Sequence, residues 1–139
     1  MADPSFHHLG YVVASVEDAL RRFAASLQAR WTSALVEDPI QGVKVAFLGP
    51  GPSGPLIELV APLGPSSPVQ KLLSKGGGLH HVCYEVDNLE AQIAYAKSTG
   101  SVLIRGPRPA VAFNGRRICW VITADRLLVE YLEREGSAG

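Results

Sequence analysis

Residues 78–86 read GLHHVCYEV and residues 5–13 read SFHHLGYVV, so the chain's four histidines fall into two adjacent pairs, each heading an alternating apolar segment. Alternation of this kind marks half-buried β-strands, whose side chains point to opposite faces in turn. An offset of 73 residues lays His7-His8 on His80-His81, and the flanks then match in type: FHHLGYVVASVEDAL lies over LHHVCYEVDNLEAQI. In both copies a strand leads to a helix N-cap, Ser15 or Asn88, and then to a helical pattern. The spacing predicts helices over Val16–Leu27 and Leu89–Ser98, closing at LQAR and at STG, where Gly100 serves as a C-cap.

The same offset places QGVKVAFL (41–48) on NGRRICWV (114–121), each an alternating strand that begins after a turn residue. With one residue of slippage LIELVAP (56–62) overlies LVEYLER (128–134), which pairs Glu58 with Glu130. Each half therefore reads as strand, helix, then two or three strands. Module 1 covers about residues 5–62 and module 2 about 79–134. Residues 63–78 form a linker rich in Pro, Gly and Ser, with a short helix near Val69–Ser74. Neither module is large enough to bury both faces of its own sheet. The expected fold is α+β: a single domain over 1–139 in which two tandem βαβββ modules pack side by side into one curved, barrel-like mixed sheet.

Composition narrows the function. A chain of 139 residues, 47% hydrophobic and 19% charged, suits a soluble globular protein. It has no apolar run approaching the roughly 18 residues of a membrane span, so no membrane partner is expected. The N-terminus lacks the basic and apolar regions of a signal peptide, and two cysteines make no disulfide framework, so the expected location is cytoplasmic. Thirteen basic residues balance thirteen acidic ones, and no Lys/Arg cluster exceeds the pairs Arg21-Arg22 and Arg116-Arg117, which argues against nucleic acid.

Strand alternation sorts the candidate site. His8 shares a face with Gly10 and Val12, while Leu9, Tyr11 and Val13 point to the helix; His81 shares a face with Cys83 and Glu85, opposite Val82, Tyr84 and Val86. His7 and His80, nearer the strand ends on the other face, take structural roles or support the ligands from behind. Glu58 and Glu130 interrupt apolar strands, and a carboxylate on a buried sheet face needs a cation to offset its desolvation. Together the repeats supply His8, Glu58, His81 and Glu130, a His2Glu2 donor set suited to Ni, Co, Mn, Fe or Zn. Four protein ligands leave positions open on an ion that prefers six, the mark of a catalytic centre. The competing reading, core histidines beside edge-strand ion pairs, does not explain why all four positions repeat together. Val43, Val45 and Phe47 share one face, and Ile118 and Trp120 another, as an apolar pocket wall. Phe113 lies in a loop over 105–115 placed to close over the site, and Arg116 is placed to meet a carboxylate or phosphate. Cys83 and Cys119 read as small buried hydrophobes.

The stretches HLGYVV, EDPIQGVKVAFLG, LIELVAPLGPSSPVQKLL, GGGLHHVCYEVDNLEA and LLVEYLE span nearly the whole chain. In this order they resemble the vicinal oxygen chelate superfamily, the glyoxalase and bleomycin-resistance fold, and within it most closely the methylmalonyl-CoA epimerase branch. Carried over position by position, the family's metal ligands fall on His8, Glu58, His81 and Glu130. The resemblance implies proton abstraction next to a carbonyl, with a divalent ion holding two substrate oxygens, and a small-molecule partner that is an acyl-CoA or a thiol adduct. It also implies, by analogy of fold, a homodimer.

Two departures stand out. Some epimerases of the family carry a carboxylate base where this chain has Val45, and the family's His-Pro-Lys before the last strand is replaced within ITADRLLVEYLE. The remaining acid/base candidates are Glu58, Glu130 and, less directly, Glu85; a metal-bound glutamate as base has precedent in glyoxalase I. The resemblance thus leads to a metal-dependent isomerase of the epimerase type. The alternatives are a glyoxalase I-like lyase acting on a thiol hemithioacetal, or a metal-free protein that sequesters a small drug. Extradiol dioxygenase chemistry fits least, since its iron site uses two histidines and one carboxylate.

Overall fold

The computed structural model describes residues 2–136. The strands are β1 (Ser5–Val12), β2 (Trp31–Thr32), β3 (Val36–Asp38), β4 (Val43–Gly49), β5 (Leu56–Pro62), β6 (Gly78–Val86), β7 (Val102–Pro109), β8 (Arg117–Ile122) and β9 (Leu128–Glu133). The helices are α1 (Val16–Leu27), α2 (Gln70–Ser74) and α3 (Leu89–Ser98), and a single 3-10 turn covers Val111–Phe113. Both long helices occupy their expected spans. Each is started by a side chain that satisfies an otherwise unpaired backbone N–H: Ser15 Oγ accepts from the Asp18 amide at 3.2 Å, and Asn88 Oδ1 from the Ala91 amide at 2.8 Å.

The chain forms two compact units. The first comprises His8–His80, with strand order β2-β4-β5-β1 and β3 added alongside β4. Here β1 and β5 run parallel with Gly10 opposite Glu58, and β4 and β5 run antiparallel with Phe47 opposite Glu58. In this unit α1 covers one sheet face. Val16 and Ala19 pack on Ala46, Leu48, Leu59 and Ala61, and Tyr11 meets Phe23 edge-on at 5.3 Å, as the alternation of β1 predicts.

The second unit takes the residues up to His7 together with those from His81 onward, with strand order β6-β9-β8-β7. Its pairings repeat the first: β6 and β9 run parallel with Cys83 opposite Glu130, and β8 and β9 antiparallel with Trp120 opposite Glu130. Leu89 and Ala96 of α3 pack on the face that carries Val86, Cys119, Val121 and Val129. An ion pair recurs at matching positions, Lys44 with Glu17 at 2.8 Å in the first unit and Arg117 with Glu90 at 2.9 Å in the second.

Three features depart from the repeat as read from the sequence. The head of β1 packs with module 2: Phe6 meets Tyr84 edge-on at 5.7 Å, His7 meets Phe113 at 5.5 Å, and Arg134 bonds Ser5 Oγ and the Asp3 carbonyl. The stretch 105–115, expected as a loop, is strand through Pro109, and only residues beyond it turn. Pro107 and Pro109 are tolerated there because β7 is an edge strand bonded to β8 alone, where a missing N–H costs no ladder bond on the outer side. Third, the linker is pinned. Gly77 has φ +76°, and a Cβ there would lie 2.5 Å from the Val12 carbonyl oxygen, so only glycine lets the chain pass beneath the end of β1. Among the described residues no helix is long and apolar enough to cross a membrane.

Candidate metal centre

In the first unit His8 is fully buried and Glu58 is 5% exposed, with His8 Nε2 3.3 Å from Glu58 Oε1. The register explains the pairing. Gly10 lies directly opposite Glu58, and with no side chain there the carboxylate reaches the histidine two residues earlier on the same face. Phe47, opposite Glu58 on its other side, sets its ring edge-on to the His8 imidazole, centroids 5.5 Å apart at 74°.

The second unit builds the same arrangement from the repeat-related residues. His81 and Glu130 are 4% and 3% exposed, and His81 Nε2 lies 3.5 Å from Glu130 Oε1. Cys83 is the small residue opposite the glutamate, and Trp120 the aromatic on its other side, 4.7 Å from the His81 ring at 85°. Each unit therefore holds a buried imidazole, fixed by an aromatic edge, beside a buried carboxylate. A carboxylate so placed loses its hydration, and only a cation or strong donors offset that cost. Each unit thus offers one imidazole nitrogen and one carboxylate oxygen, both buried and both of the kind that ligate a metal ion. Imidazole nitrogen and carboxylate oxygen suit first-row divalent ions better than soft, thiolate-seeking ones.

The remaining candidates divide. Val45 is buried on the Glu58 face opposite Val60, and Ile118 is buried on the Glu130 face opposite Leu132. Arg116 bonds Glu85 at 3.0 Å and the Glu133 carbonyl at 3.3 Å, and its guanidinium lies 5.8 Å from the Phe113 ring centre. Arg116 thus meets a carboxylate of its own chain, and Glu85 sits in an ion pair. Cys119 lies on the helix side of its sheet, where burial pushes its thiol up to about 12. Arg117 holds both Glu133 and Glu90 below the usual carboxylate range through hydrogen bonds. Sequence reasoning missed the buried Asp38, whose Oδ1 accepts from the Gln41 amide at 3.0 Å; the signal was the DPIQG run, since aspartate ahead of a turn commonly caps it this way.

The signature of the glyoxalase/bleomycin resistance protein/dioxygenase superfamily matches residues 7–120, and the chain belongs to this superfamily. It is 30% identical over 122 residues to the ethylmalonyl-CoA/methylmalonyl-CoA epimerase of Cereibacter sphaeroides, a match covering 86% of this chain and 88% of that one. The mouse mitochondrial methylmalonyl-CoA epimerase is 38% identical over 89 residues, covering 63% of this chain and 48%, about half, of the relative. Among solved structures, methylmalonyl-CoA epimerase from Mycobacterium tuberculosis superposes with a TM-score of 0.78 at 28% identity, over 97% of this chain and 93% of that chain. All three of these proteins are named as epimerases.

Proposed function

We propose that this chain is a divalent-metal-dependent epimerase that removes and returns the proton next to a thioester carbonyl, with methylmalonyl-CoA as its substrate. The observation that carries the reading is the duplicated pair: an imidazole and a carboxylate, buried together and braced by an aromatic edge, once in each unit. In this reading His8, Glu58, His81 and Glu130 hold one ion between them. When bound, the ion supplies Lewis-acid stabilisation of the charge that develops on the thioester oxygen, worth several kcal/mol.

The chain's own groups do the rest. Epimerisation needs a proton acceptor on one side of the enolate and a donor on the other. The repeat provides one buried carboxylate per unit, Glu58 and Glu130, for these two roles. Glu85 is left out because Arg116 engages it. Phe47 and Trp120 fix the imidazoles edge-on, which keeps their rings from turning as charge moves. Val45, Val60, Ile118 and Leu132 keep the surroundings apolar, which strengthens every charge interaction at the reacting carbon.

The test starts from a single epimer of methylmalonyl-CoA and follows appearance of the other, with cobalt and after chelation. Cobalt-dependent conversion supports the reading. Turnover of the methylglyoxal–glutathione hemithioacetal in its place would favour glyoxalase-type chemistry. A chain that takes up no cobalt or nickel at all would refute both enzymes and leave small-molecule sequestration.

A further inference from the structure

The outer strand of the second unit carries two arginines onto the face that bears Glu130. Strands β7 and β8 run antiparallel, with Val102 opposite Ile122 and Leu103 opposite Val121. The register then slips twice, so that Arg105 stands opposite Trp120 and Arg108 opposite Ile118. Each slip is an extra residue in β7, and such bulges re-aim the side chains that follow. Without them Ile104 would stand opposite Trp120 and Gly106 opposite Ile118, Arg105 would fall on the other face, and Arg108 would lie beyond the end of β8. With them two rows cross the four strands: Arg105, Trp120, Glu130 and Cys83 in one, Arg108, Ile118, Leu132 and Glu85 in the other. Opposed residues of neighbouring strands share a face, so both guanidinium groups belong to the side on which Glu130 and His81 lie.

Among the described residues of this unit, Arg116 pairs with Glu85, Arg117 with Glu90 and Glu133, and Arg134 with Asp87, while Arg126 sits in the turn ahead of β9. Arg105 and Arg108 form no ion pair with any described carboxylate. Two strand spacings, roughly 10 Å, separate β7 from β9, and the arginine side chains extend the reach further outward. An anion held by these arginines is therefore carried at a distance from the reacting carbon; it belongs to the group bearing the acyl unit, not to the acyl unit itself.

We propose that Arg105 and Arg108 form a clasp for the phosphate groups of coenzyme A, which selects phosphate-bearing thioesters over thiol carriers without them. This rests on the thioester chemistry proposed for the metal centre. The side chains suit such a ligand, because a guanidinium presents paired N–H donors to phosphate oxygens and two of them match the multiple charges of a nucleotide phosphate.

The test measures binding calorimetrically on the metal-loaded chain with coenzyme A and, separately, with pantetheine, which lacks the phosphates. The expected result is that Arg105→Gln with Arg108→Gln weakens coenzyme A tenfold or more. Pantetheine binding should not change, and the coenzyme A affinity of the unsubstituted chain should fall as salt rises. The double lysine variant, Arg105→Lys with Arg108→Lys, should recover part of the affinity and control for folding. Equal coenzyme A affinity in the glutamine variant, or an equal loss for pantetheine, would overturn the clasp, as would failure of the unsubstituted chain to bind coenzyme A. Arginine-dependent coenzyme A binding in a chain that epimerises nothing would support the clasp while refuting the epimerase reading.

Discussion

Replacing Glu130 with Gln separates the two demands placed on this carboxylate. The change preserves shape in a site 3% exposed and removes one charge. In the metal-free chain it should cost little. A carboxylate so buried is itself expensive to desolvate, and the neutral amide that replaces it keeps its shape. The metal-free melting temperatures should agree within about 3 °C, or about 1 kcal/mol for a chain of this size.

Metal binding should tell the two proteins apart. An ion that binds only the folded chain at a hundredfold excess over its Kd stabilises by about 2.7 kcal/mol. At roughly 2.1 cal/mol/K per residue, unfolding 139 residues carries about 0.29 kcal/mol/K, so cobalt at that excess raises the melting temperature by about 9 °C. Removing even a residue that only hydrogen-bonds a metal ligand costs up to about a hundredfold in affinity. Loss of Glu130 itself, taken at that figure, leaves about 0.4 kcal/mol of stabilisation at the same cobalt concentration, a rise of little over 1 °C. Differential scanning calorimetry of the chelated proteins, with and without cobalt, reads both numbers. An undiminished cobalt shift in Glu130→Gln would refute the ligand role, and the absence of any shift in the unsubstituted chain would refute the centre.

Gly77→Ala should destabilise by about 1–3 kcal/mol in urea unfolding, because the new Cβ meets the Val12 carbonyl oxygen and φ is positive; a cost below about 0.5 kcal/mol would contradict the close approach. Arg117 holds Glu133 and Glu90 below the usual carboxylate range in the folded chain, so this stabilisation is present above about pH 4.3 and is lost as pH falls through the lowered values. Arg117→Met should therefore flatten the fall in stability between about pH 5 and pH 3, whereas parallel curves would show that the network contributes nothing. Both cysteines are buried and the Cys119 thiol is pushed up to about 12, so Ellman's reagent at pH 8 should label neither within minutes in the native chain and both in denaturant.

The duplication was the most legible part of the sequence, because a histidine pair ahead of an alternating strand is rare enough to fix the offset by itself. Once it is fixed, Ser15 and Asn88 start the helices where a capping side chain demands, and Glu58 and Glu130 stand out as carboxylates in apolar strands. The offset also contained an ion pair that pattern reading passed over, since Glu17 and Lys44 lie on Glu90 and Arg117, yet neither pair is close in sequence. Residues 105–109 were illegible for a different reason. Gly106, Pro107 and Pro109 carry the composition of a loop, and only the outer position of β7, with one side free of hydrogen bonding, permits them in a strand. The first bulge hid Arg105 further, because strict alternation assigns it to the wrong face, and the second slip restores the alternation at Arg108. The packing of residues 5–7 against module 2 has no local signal either; it depends on Tyr84, Phe113 and Arg134, all distant in sequence.

The central claim, removal of the proton next to the thioester by a chain whose paired histidines and glutamates hold a metal, is tested most directly by proton NMR of methylmalonyl-CoA in deuterium oxide. The cobalt-loaded chain should erase the α-proton signal, and the chelated chain and cobalt-loaded Glu130→Gln should leave it in place. Persistence of that signal with cobalt demonstrably bound to the unsubstituted chain would contradict the account.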